Sequence, residues 1–379
     1  MRFLFASDSF KGTLSSRQTA ELLVQAAQEI FPGCECESVE VADGGEGTTD
    51  AVVAATGGRR VEVSAHGPLW EERTAFYGKL DEKRAVMEMA SASGLPLVPE
   101  EQRNPWETTS YGTGEMIRDA LDRGLRDISI AIGGSATNDG GMGCARALGV
   151  RFLDKTGKEL SGCGKDLARV HRIDMSGLDT RVRECVFTVM CDVTNPLCGE
   201  QGATYTFGKQ KGGTPEILKE LEAGMQNYRE ILKQQFGVDM DTVAGAGAAG
   251  GLGAALMVFL DGSLKSGIET VLDLVGFDER LEGVSLVVTG EGAADWQSVY
   301  GKVMQGVGVR CKAKGIPAAA IVGSIGRGAE DIFDYGIDSI ITTVNRPMPL
   351  SEALDRAGEL YLSAARRLFR MLRAGQKMK

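Results

Sequence analysis

The feature that most constrains the fold is an alternation of apolar strands and amphipathic helices at the start of the chain. Residues 2–6 form a short apolar run without helical spacing, which predicts a buried strand. Ser15 and Gln18 have the spacing of a capping box and predict the start of a helix. A second strand is predicted at residues 38–42. This βαβα alternation predicts a parallel sheet with ligand loops at the carboxyl ends of its strands.

The same alternation returns near the end of the chain. Apolar runs predict strands at residues 285–289, 318–322 and 339–343, with helices between them. Ser351 is expected to cap a long terminal helix. Because both ends show the same pattern, we expect them to build one domain together.

The middle of the chain follows a different pattern. Segments with alternating apolar residues predict antiparallel strands at 59–65, 72–80 and 83–90. Further apolar strands are predicted at 128–132 and 186–190. This part of the chain is therefore expected to form a mixed sheet.

These patterns predict the fold class and the domain organisation. The 379 residues exceed one usual hydrophobic core, so two domains are expected. We predict an α/β fold of two α/β domains. Residues 1–60 and 285–379 would form a Rossmann-like parallel-sheet domain, and residues 61–284 a second, mixed-sheet α/β domain inserted into it.

The charge balance argues against a nucleic-acid partner. The chain has 42 basic and 52 acidic side chains, a net charge of −10, and no basic stripe that could displace counterions. The uncharged segment 243–260 has 18 residues, and its first half is mostly glycine and alanine. A spanning helix needs about 20 strongly apolar residues. We therefore expect neither nucleic acid nor a membrane as a partner.

The cysteine pattern favours a reducing compartment. The eight cysteines show no CxxC spacing, and only two histidines are present to complete a zinc site. A reduced cytosolic interior is the simpler explanation. The first apolar run is too short for a signal peptide before Asp8 and Lys11 interrupt it. The expected location is cytoplasmic.

Several familiar catalytic motifs are absent from the sequence. It contains no GxxxxGK[ST] phosphate loop, no eukaryotic-type kinase motifs, no GxSxG and no HExxH. Gly245, Gly247 and Gly250 match GxGxxG, but no clear strand precedes them. The match therefore favours a helix-entry loop close to an anion over a nicotinamide site.

Glycine is unusually abundant, with 51 residues, and much of it lies in loops that also carry polar or charged side chains. Phosphoryl transfer uses such loops, because backbone amides hold phosphate oxygens, a lysine offsets charge and carboxylates carry Mg²⁺ or accept a proton. Each loop by itself is more typical of a helix cap or a turn, but together they favour a ligand site. They lie at 8–12, 43–48, 133–141, 191–197, 245–253 and 289–297.

Nine distinctive segments, several of them from these loops, follow one another along nearly the whole chain. They are DSFKGTLS at 8–15, ADGGEGT at 42–48, TSYGTGEMI at 109–117, GGSATNDGGMG at 133–143, CDVTNPLCGEQGA at 191–203, FGKQKGG at 207–213, GAGAAGGLGAAL at 245–256, TGEG at 289–292 and GKVMQGV at 301–307. This set resembles the signature segments of the bacterial class I glycerate kinases.

The resemblance implies a function and a fold. Members of that family transfer the γ-phosphoryl group of ATP to D-glycerate with Mg²⁺, and the bacterial members typically give 2-phosphoglycerate. The implied fold has two α/β domains with the active site in the cleft between them. ATP and Mg²⁺ are thus the expected cofactors, and glycerate the expected small-molecule partner.

The sequence departs from the family at one position. The family usually has an arginine directly after Thr-Gly-Glu-Gly, whereas Ala293 and Ala294 follow here. An arginine would bind a carboxylate or phosphate through two parallel hydrogen bonds. Its absence leaves two alternatives open, a kinase of a related small hydroxy acid and a non-catalytic ligand sensor. A dehydrogenase using the 245–250 loop is less favoured.

Two residues are predicted to be catalytic. Asp192 follows a predicted strand, and we expect it to accept the proton of the acceptor hydroxyl, the alternative being a turn formed with Asn195. Lys11 is expected to neutralise phosphate charge, the alternative being an ordinary surface lysine.

The remaining predicted site residues form three groups. Substrate-binding residues are predicted to be Ser9, Ser135, Thr137, Asn138, Asp43 and Glu46. Nucleotide-binding residues are predicted to be Gly245, Gly247, Gly250, Gly251, Gly290, Glu291, Gly292 and Lys302. Asp295 and Asp43 are the predicted Mg²⁺ ligands, since Mg²⁺ prefers carboxylate oxygens and water.

Overall fold

A computed structural model describes residues 1–10 and 12–378, so the predicted catalytic Lys11 lies outside the described residues. The strands are β1 (Arg2–Ser7), β2 (Glu35–Ser38), β3 (Arg59–His66), β4 (Glu72–Lys79), β5 (Arg84–Glu88), β6 (Asp127–Ala131), β7 (Arg151–Leu153), β8 (Arg172–Asp174), β9 (Val186–Met190), β10 (Ser263–Lys265), β11 (Leu286–Gly290), β12 (Ala293–Ala294), β13 (Ala318–Val322), β14 (Ser324–Ile325) and β15 (Ser339–Thr342).

The helices follow the predicted alternation. They are α1 (Ser16–Ile30), α2 (Thr48–Thr56), α3 (Ala90–Ser93), α4 (Tyr111–Asp122), α5 (Met142–Ala147), α6 (Ala203–Phe207), α7 (Pro215–Phe236), α8 (Ala248–Leu260), α9 (Gly267–Leu274), α10 (Phe277–Arg280), α11 (Val303–Lys314), α12 (Leu350–Asp355) and α13 (Ala357–Gln376). Short 3₁₀ helices include Lys209–Lys211 and Trp296–Val299.

The chain forms two compact units. Unit 1 consists of Met1–Asp43, Ala54–Thr56 and Gly267–Lys379, and unit 2 of Gly44–Val53 and Gly57–Ser266. The two ends of the chain thus share one unit. The predicted domain limits at residues 60 and 284 stay a prediction, because compactness does not show which segments fold independently.

Unit 1 contains the predicted parallel sheet. Its strand order is β15-β13-β11-β1-β2, and every pairing is parallel, with Phe5 opposite Val288. In order along unit 1 this is 2-1-3-4-5, one of the two common doubly wound orders. The direction of winding reverses between β1 and β11. Ligands of such sheets bind at that reversal, outside the carboxyl ends of the strands.

The core of unit 1 joins the sheet to helices at both ends of the chain. Phe3 and Phe5 of β1 contact Phe369 of α13, with ring centroids 5.2 and 6.3 Å apart. Leu23 of α1 and Tyr361 of α13 are buried in the same cluster. The predicted capping box is confirmed, since Gln18 N donates to Ser15 Oγ and Ser15 N donates to the Gln18 side chain.

Two local predictions in unit 1 are wrong. The second strand is Glu35–Ser38 and not 38–42, although Val39 N still donates to Phe5 O at 2.9 Å. Val39 and Val41 are buried, so their apolar pattern reflects burial of an irregular segment. Ser351 caps no helix, because α12 begins at Leu350 after Pro349, and α13 begins separately at Ala357.

Unit 2 contains the predicted mixed sheet. Its strand order is β10-β9-β6-β5-β4-β3, in which β3 and β4 pair antiparallel and β5 joins the parallel strands β6, β9 and β10. Tyr228 of α7 and Phe259 of α8 pack with Phe152 in the core. None of the helices in residues 1–10 and 12–378 has the length and apolar character needed to cross a membrane.

Candidate active site

Unit 1 has a cavity of about 450 Å³ at the carboxyl ends of its parallel strands. Asp8 follows β1, Glu291 follows β11, Gly323 follows β13 and Thr343 follows β15, and all four line the cavity. Further polar lining comes from Ser9, Thr13, Asp43, Asp295, Lys302 and Ser324. Apolar lining comes from Phe10, Leu14, Ala293, Val344, Leu350, Ala353, Leu354 and Ala357. One cavity therefore combines a charged wall and an apolar wall.

Two carboxyl groups meet where the sheet reverses its winding. Asp8 N donates to Gly290 O at 2.9 Å, which ties the loop after β1 to the end of β11. Ser9 N donates to Asp8 Oδ1 at 2.6 Å. Burial raises the pKa of Glu291, and the negative charge of Asp8 raises it further. The two groups are thus close enough to influence each other's charge.

Glu291 is held in place by two partners. It is only 6% exposed and accepts a hydrogen bond from Ser298 Oγ. Lys302 Nζ lies 3.5 Å from a Glu291 carboxylate oxygen. Both contacts lower the pKa of Glu291 and so oppose the effect of burial. Glu291 therefore acts as an anchor that keeps the lysine at the cavity wall.

Lys302 also stands at the start of a helix. It is the N-cap residue of α11, and no side chain caps that end. The first backbone N–H groups of a helix lack intrahelical acceptors and attract anions. The lysine and the helix terminus together suit a phosphate group.

Asp295 and Ala293 lie beside each other in the cavity wall. Asp295 Oδ1 accepts from Gln297 N at 2.8 Å and starts the 3₁₀ helix at Trp296. Ala293 pairs with Ser324 between β12 and β14. Because Ala293 lines the cavity, the residue at this position helps to decide which ligand fits.

The donor set fits a divalent cation that is shared with phosphate. Carboxyl groups of Asp8, Asp43, Glu291 and Asp295 line the cavity. No group of three or more His, Cys, Asp or Glu that could hold a metal is found among residues 1–10 and 12–378. Mg²⁺ usually takes only one or two carboxylates and completes its shell with water and substrate phosphates. The side chains present meet that smaller requirement.

In unit 2, the loop after β6 carries three predicted substrate-binding residues. Ser135 is 7% exposed, whereas Thr137 and Asn138 are fully buried. Asn138 Nδ2 donates to Thr204 Oγ1 at 3.2 Å. Among these three, Ser135 is therefore the one that keeps some exposed surface.

A buried lysine that the sequence reasoning does not identify supports this loop. Lys211 is 2% exposed, and its Nζ donates to Ser135 Oγ at 2.8 Å and to Thr137 O at 2.7 Å. In the sequence it stands in Gly-Lys-Gln-Lys-Gly-Gly, a pattern typical of an exposed turn. The local signals for its special position are the two glycines after it and its place in the FGKQKGG segment at 207–213.

The predicted nucleotide-binding glycines of unit 2 lie against backbone. A Cβ on Gly247 would stand 2.1 Å from Pro196 O, and one on Gly250 would stand 2.1 Å from Thr137 O. Gly245 and Gly251 are similarly crowded, by Leu264 and by Gly140. These glycines permit loops to touch each other, and their contact with a nucleotide stays a prediction.

The glycine loop before α2 is held by a buried carboxylate. Glu88 accepts from Thr49 N at 2.7 Å and from Gly47 N at 3.3 Å. Glu46 of the same loop is exposed. The Glu88 contacts leave Glu46 at the surface, where its predicted contact with substrate is sterically possible.

Asp192 lies where the chain leaves β9. Its side chain is exposed, two residues after the end of the strand at Met190. Asn195, the alternative turn partner, donates from Nδ2 to Gln201 O at 2.7 Å. The predicted role of Asp192 as a base stays a prediction.

Comparisons with known proteins identify the family of this chain and agree with its fold. A model of the "Glycerate kinase family" matches residues 3–373. The chain is 43% identical to the glycerate kinase of Bacillus subtilis (strain 168), covering 100% of this chain and 99% of that protein. It is 44% identical to the glycerate 2-kinase of Escherichia coli (strain K12), with the same coverage.

A solved structure shows the same architecture. The crystal structure of a protein described as glycerate kinase 2 from Salmonella typhimurium LT2 matches with a TM-score of 0.90 and 43% identity. The match covers 100% of this chain and 99% of that one. By sequence and by structure, this chain belongs to the glycerate kinase family.

Proposed function

We propose that this chain transfers the γ-phosphoryl group of ATP to the 2-hydroxyl of D-glycerate, giving 2-phosphoglycerate. Membership of the glycerate kinase family supports phosphorylation of glycerate at the expense of ATP. The observation that carries the proposal is the cavity of unit 1, where Asp8, Glu291 and Lys302 meet beside the reversal of the parallel sheet.

The nucleotide is proposed to occupy this cavity. Leu14, Val344 and Leu354 offer apolar surface for the base. Lys302 and the N-terminus of α11 offer positive charge for phosphate oxygens. Gly292 leaves room for close approach, since the nearest atom to a Cβ there would be Phe10 Cα at 3.9 Å. Carboxylates in the wall of the same cavity are proposed to bind the Mg²⁺ that the reaction requires.

Asp43 and Asp295 are the side chains proposed to hold Mg²⁺, with Asp8 as a third candidate. When bound, the cation would offset the negative charge of the transferring phosphoryl group. Asp295 keeps one carboxylate oxygen on Gln297 N, which fixes its orientation. The protein thus contributes oriented oxygens, and the residues that the structure describes form no complete metal cage.

In unit 2, Ser135 and the exposed backbone of Gly133 and Gly134 are proposed to bind the acceptor. Asp192 is proposed to accept the proton of the acceptor hydroxyl as its oxygen attacks. The eight cysteines are free thiols, which supports a reducing, cytoplasmic location.

The test is a coupled assay of ADP formation with ATP, Mg²⁺ and a panel of small hydroxy acids. Turnover with D-glycerate and phosphorus NMR identification of 2-phosphoglycerate would support the proposal. Turnover only with another hydroxy acid would support the alternative that Ala293 raises, because that residue lines the cavity where the family usually has an arginine. Nucleotide binding without turnover on any acid would indicate a ligand sensor.

A further inference from the structure

We infer that Lys211 is a positioning residue for the acceptor, because it forces the Ser135 hydroxyl to donate its proton to the carboxylate of a hydroxy-acid substrate. This inference rests on the proposed function and adds to it the group that orients the acceptor.

The polarity of the Lys211–Ser135 contact is fixed by chemistry. An ammonium group has three N–H donors and no lone pair, whereas a serine hydroxyl has one donor and two acceptor lone pairs. Since Lys211 Nζ lies 2.8 Å from Ser135 Oγ, the serine must accept in this bond whenever Lys211 is protonated. Its own O–H therefore has to point to a different acceptor.

The part of the chain that the structure describes contains no acceptor for the Ser135 hydroxyl. The only side-chain hydrogen bond of Ser135 there is the one from Lys211. The residue keeps 7% exposure on a loop whose preceding Gly133 and Gly134 are exposed. A carboxylate arriving at this loop would supply the missing acceptor, and charge makes such a bond about twice as strong as a neutral one.

Lys211 is held rigidly enough to set this direction. A second donation, to Thr137 O at 2.7 Å, fixes the main chain of the same loop. Behind the lysine, Gly212 has a φ of +92°, and a Cβ there would stand 2.1 Å from Arg103 O. The ammonium therefore controls both the side chain of Ser135 and the backbone two residues later.

Stabilising the loop alone does not explain a charged group at this place. Within the described residues, the Lys211 ammonium contacts Ser135 Oγ and Thr137 O and forms no ion pair with a carboxylate, and a buried ammonium without one is costly. Asp139 is the charged group that acts on it, and Asp139 is itself held by Ser110, Gly141 and Gly143. An incoming carboxylate bound through Ser135 would add to the negative charge that Asp139 places near Lys211.

The first test compares two lysines in one turn. Lys211→Met is expected to raise the KM for D-glycerate at least about tenfold, the worth of one hydrogen bond to a charged group, and to leave the KM for ATP unchanged. Lys209→Met removes the same charge from an exposed position of that turn and should change neither. An unchanged glycerate KM in Lys211→Met, or an equal rise for ATP, would overturn the inference.

The second test shows whether Lys211 acts through Ser135. Ser135→Ala should raise the glycerate KM to a similar extent, and the double variant should be no worse than either single variant. Multiplied effects in the double variant would indicate separate roles and would contradict the inference. Because Ser135→Ala deletes only one oxygen, this arm also decides the question if Lys211→Met does not fold.

Failure of the proposed kinase function can be distinguished from failure of the inferred role of Lys211. Titration calorimetry of the full chain with D-glycerate measures binding without turnover. A wild-type protein that forms no ADP but binds glycerate, with binding weakened in Lys211→Met and not in Lys209→Met, would reject the kinase proposal and keep the positioning role. Normal turnover of the wild-type protein together with unaltered glycerate binding in Lys211→Met would keep the kinase proposal and reject the positioning role.

Discussion

The cavity of unit 1 and the Lys211 loop of unit 2 are both rich in glycine, but they use it in opposite ways. At the cavity, a Cβ on Gly292 would meet nothing nearer than 3.9 Å, so the space is left open. In unit 2, a Cβ on Gly250 would stand 2.1 Å from Thr137 O, so the space is filled by another loop. The same residue type therefore marks a possible ligand site in one unit and dense packing in the other.

The charges of the two regions differ as well. The cavity brings several carboxyl groups together with Lys302, whose ammonium lies near Glu291. The unit 2 loop has a buried ammonium, Lys211, with no carboxylate in ion-pair distance among residues 1–10 and 12–378. An acidic wall suits a cation-bound phosphate, and an unpaired ammonium suits a substrate carboxylate. Five experiments would test this contrast.

The largest effect is expected from the proposed base in unit 2. Asp192→Asn should lower kcat by about 10²–10⁴-fold, the usual contribution of general base catalysis, with little change in stability. Asp261→Asn is the matched control, because Asp261 is also exposed and asparagine tolerates its left-handed backbone. Steady-state kinetics with glycerate measures the difference. Near-normal turnover in Asp192→Asn would remove it as the base.

The two kinds of glycine can be separated by stability. Gly250→Ala should destabilise the protein by about 3 kcal/mol or more, since a left-handed backbone costs about 1–2 kcal/mol and overpacking about 1–3 kcal/mol. Gly292→Ala should change the free energy of unfolding by less than about 1 kcal/mol, because its surroundings are open. Urea denaturation measures both. Equal losses in the two variants would contradict the contrast drawn above.

The two lysines should separate the two substrates. Lys302→Met is expected to raise the KM for ATP about tenfold with little effect on glycerate, because its ammonium faces the cavity beside the α11 terminus. Lys211→Met should show the opposite selectivity. Initial-rate kinetics with each substrate varied in turn provides the comparison. A rise in the KM for the same substrate in both variants would show that the cavity of unit 1 and the Lys211 loop of unit 2 do not bind different substrates.

The smallest effect is a pH dependence in unit 2. Burial lowers the pKa of Lys211 to about 7, while the negative charge of Asp139 acts in the opposite direction. Above this pKa the neutral amine can accept a proton from Ser135, so the glycerate KM should rise with pH. This dependence should be absent in Lys211→Met. A KM profile from pH 6 to 9 that is identical in both proteins would contradict it.

Stability should respond to the same titration with the opposite sign. The folded pKa of Lys211 lies below the value of about 10.4 for an unfolded lysine, so the unfolded chain binds more protons between the two values. The contribution of this group to the free energy of unfolding therefore increases as pH rises from about 7. Urea denaturation of wild type and of Lys211→Met across that pH range measures the contribution of Lys211 to the free energy of unfolding.

Much of the fold could be predicted from the sequence, because apolar runs and caps are local signals. The strands β1, β11 and β13 lie where the apolar runs place them, and the Ser15–Gln18 capping box forms as predicted. The strand predicted at 38–42 was misplaced because buried residues in an irregular segment give the same apolar pattern as a strand. Family membership likewise followed from ordered motifs and is confirmed.

The site could be predicted only in part. Among the described residues of unit 1, every predicted site residue except Gly290 lines the cavity. These residues are Ser9, Asp43, Glu291, Gly292, Asp295 and Lys302. Gly290 is the last residue of β11 itself. Carboxyl ends of parallel strands meet at one edge of a sheet, so a sequence with a clear strand pattern already indicates such a grouping.

Lys211 shows what the sequence could not decide. Its neighbours in the chain are polar residues and glycines, which locally predict exposure, yet it is 2% exposed. Burial and hydrogen-bond polarity depend on which distant segments approach, here Ser135 and Thr137, more than seventy residues away. The sequence by itself determined many of the strands, the family and the chemical groups that the chain carries. Only the tertiary structure decided which glycines leave space and which lysine lacks a counter-charge, because both depend on long-range packing.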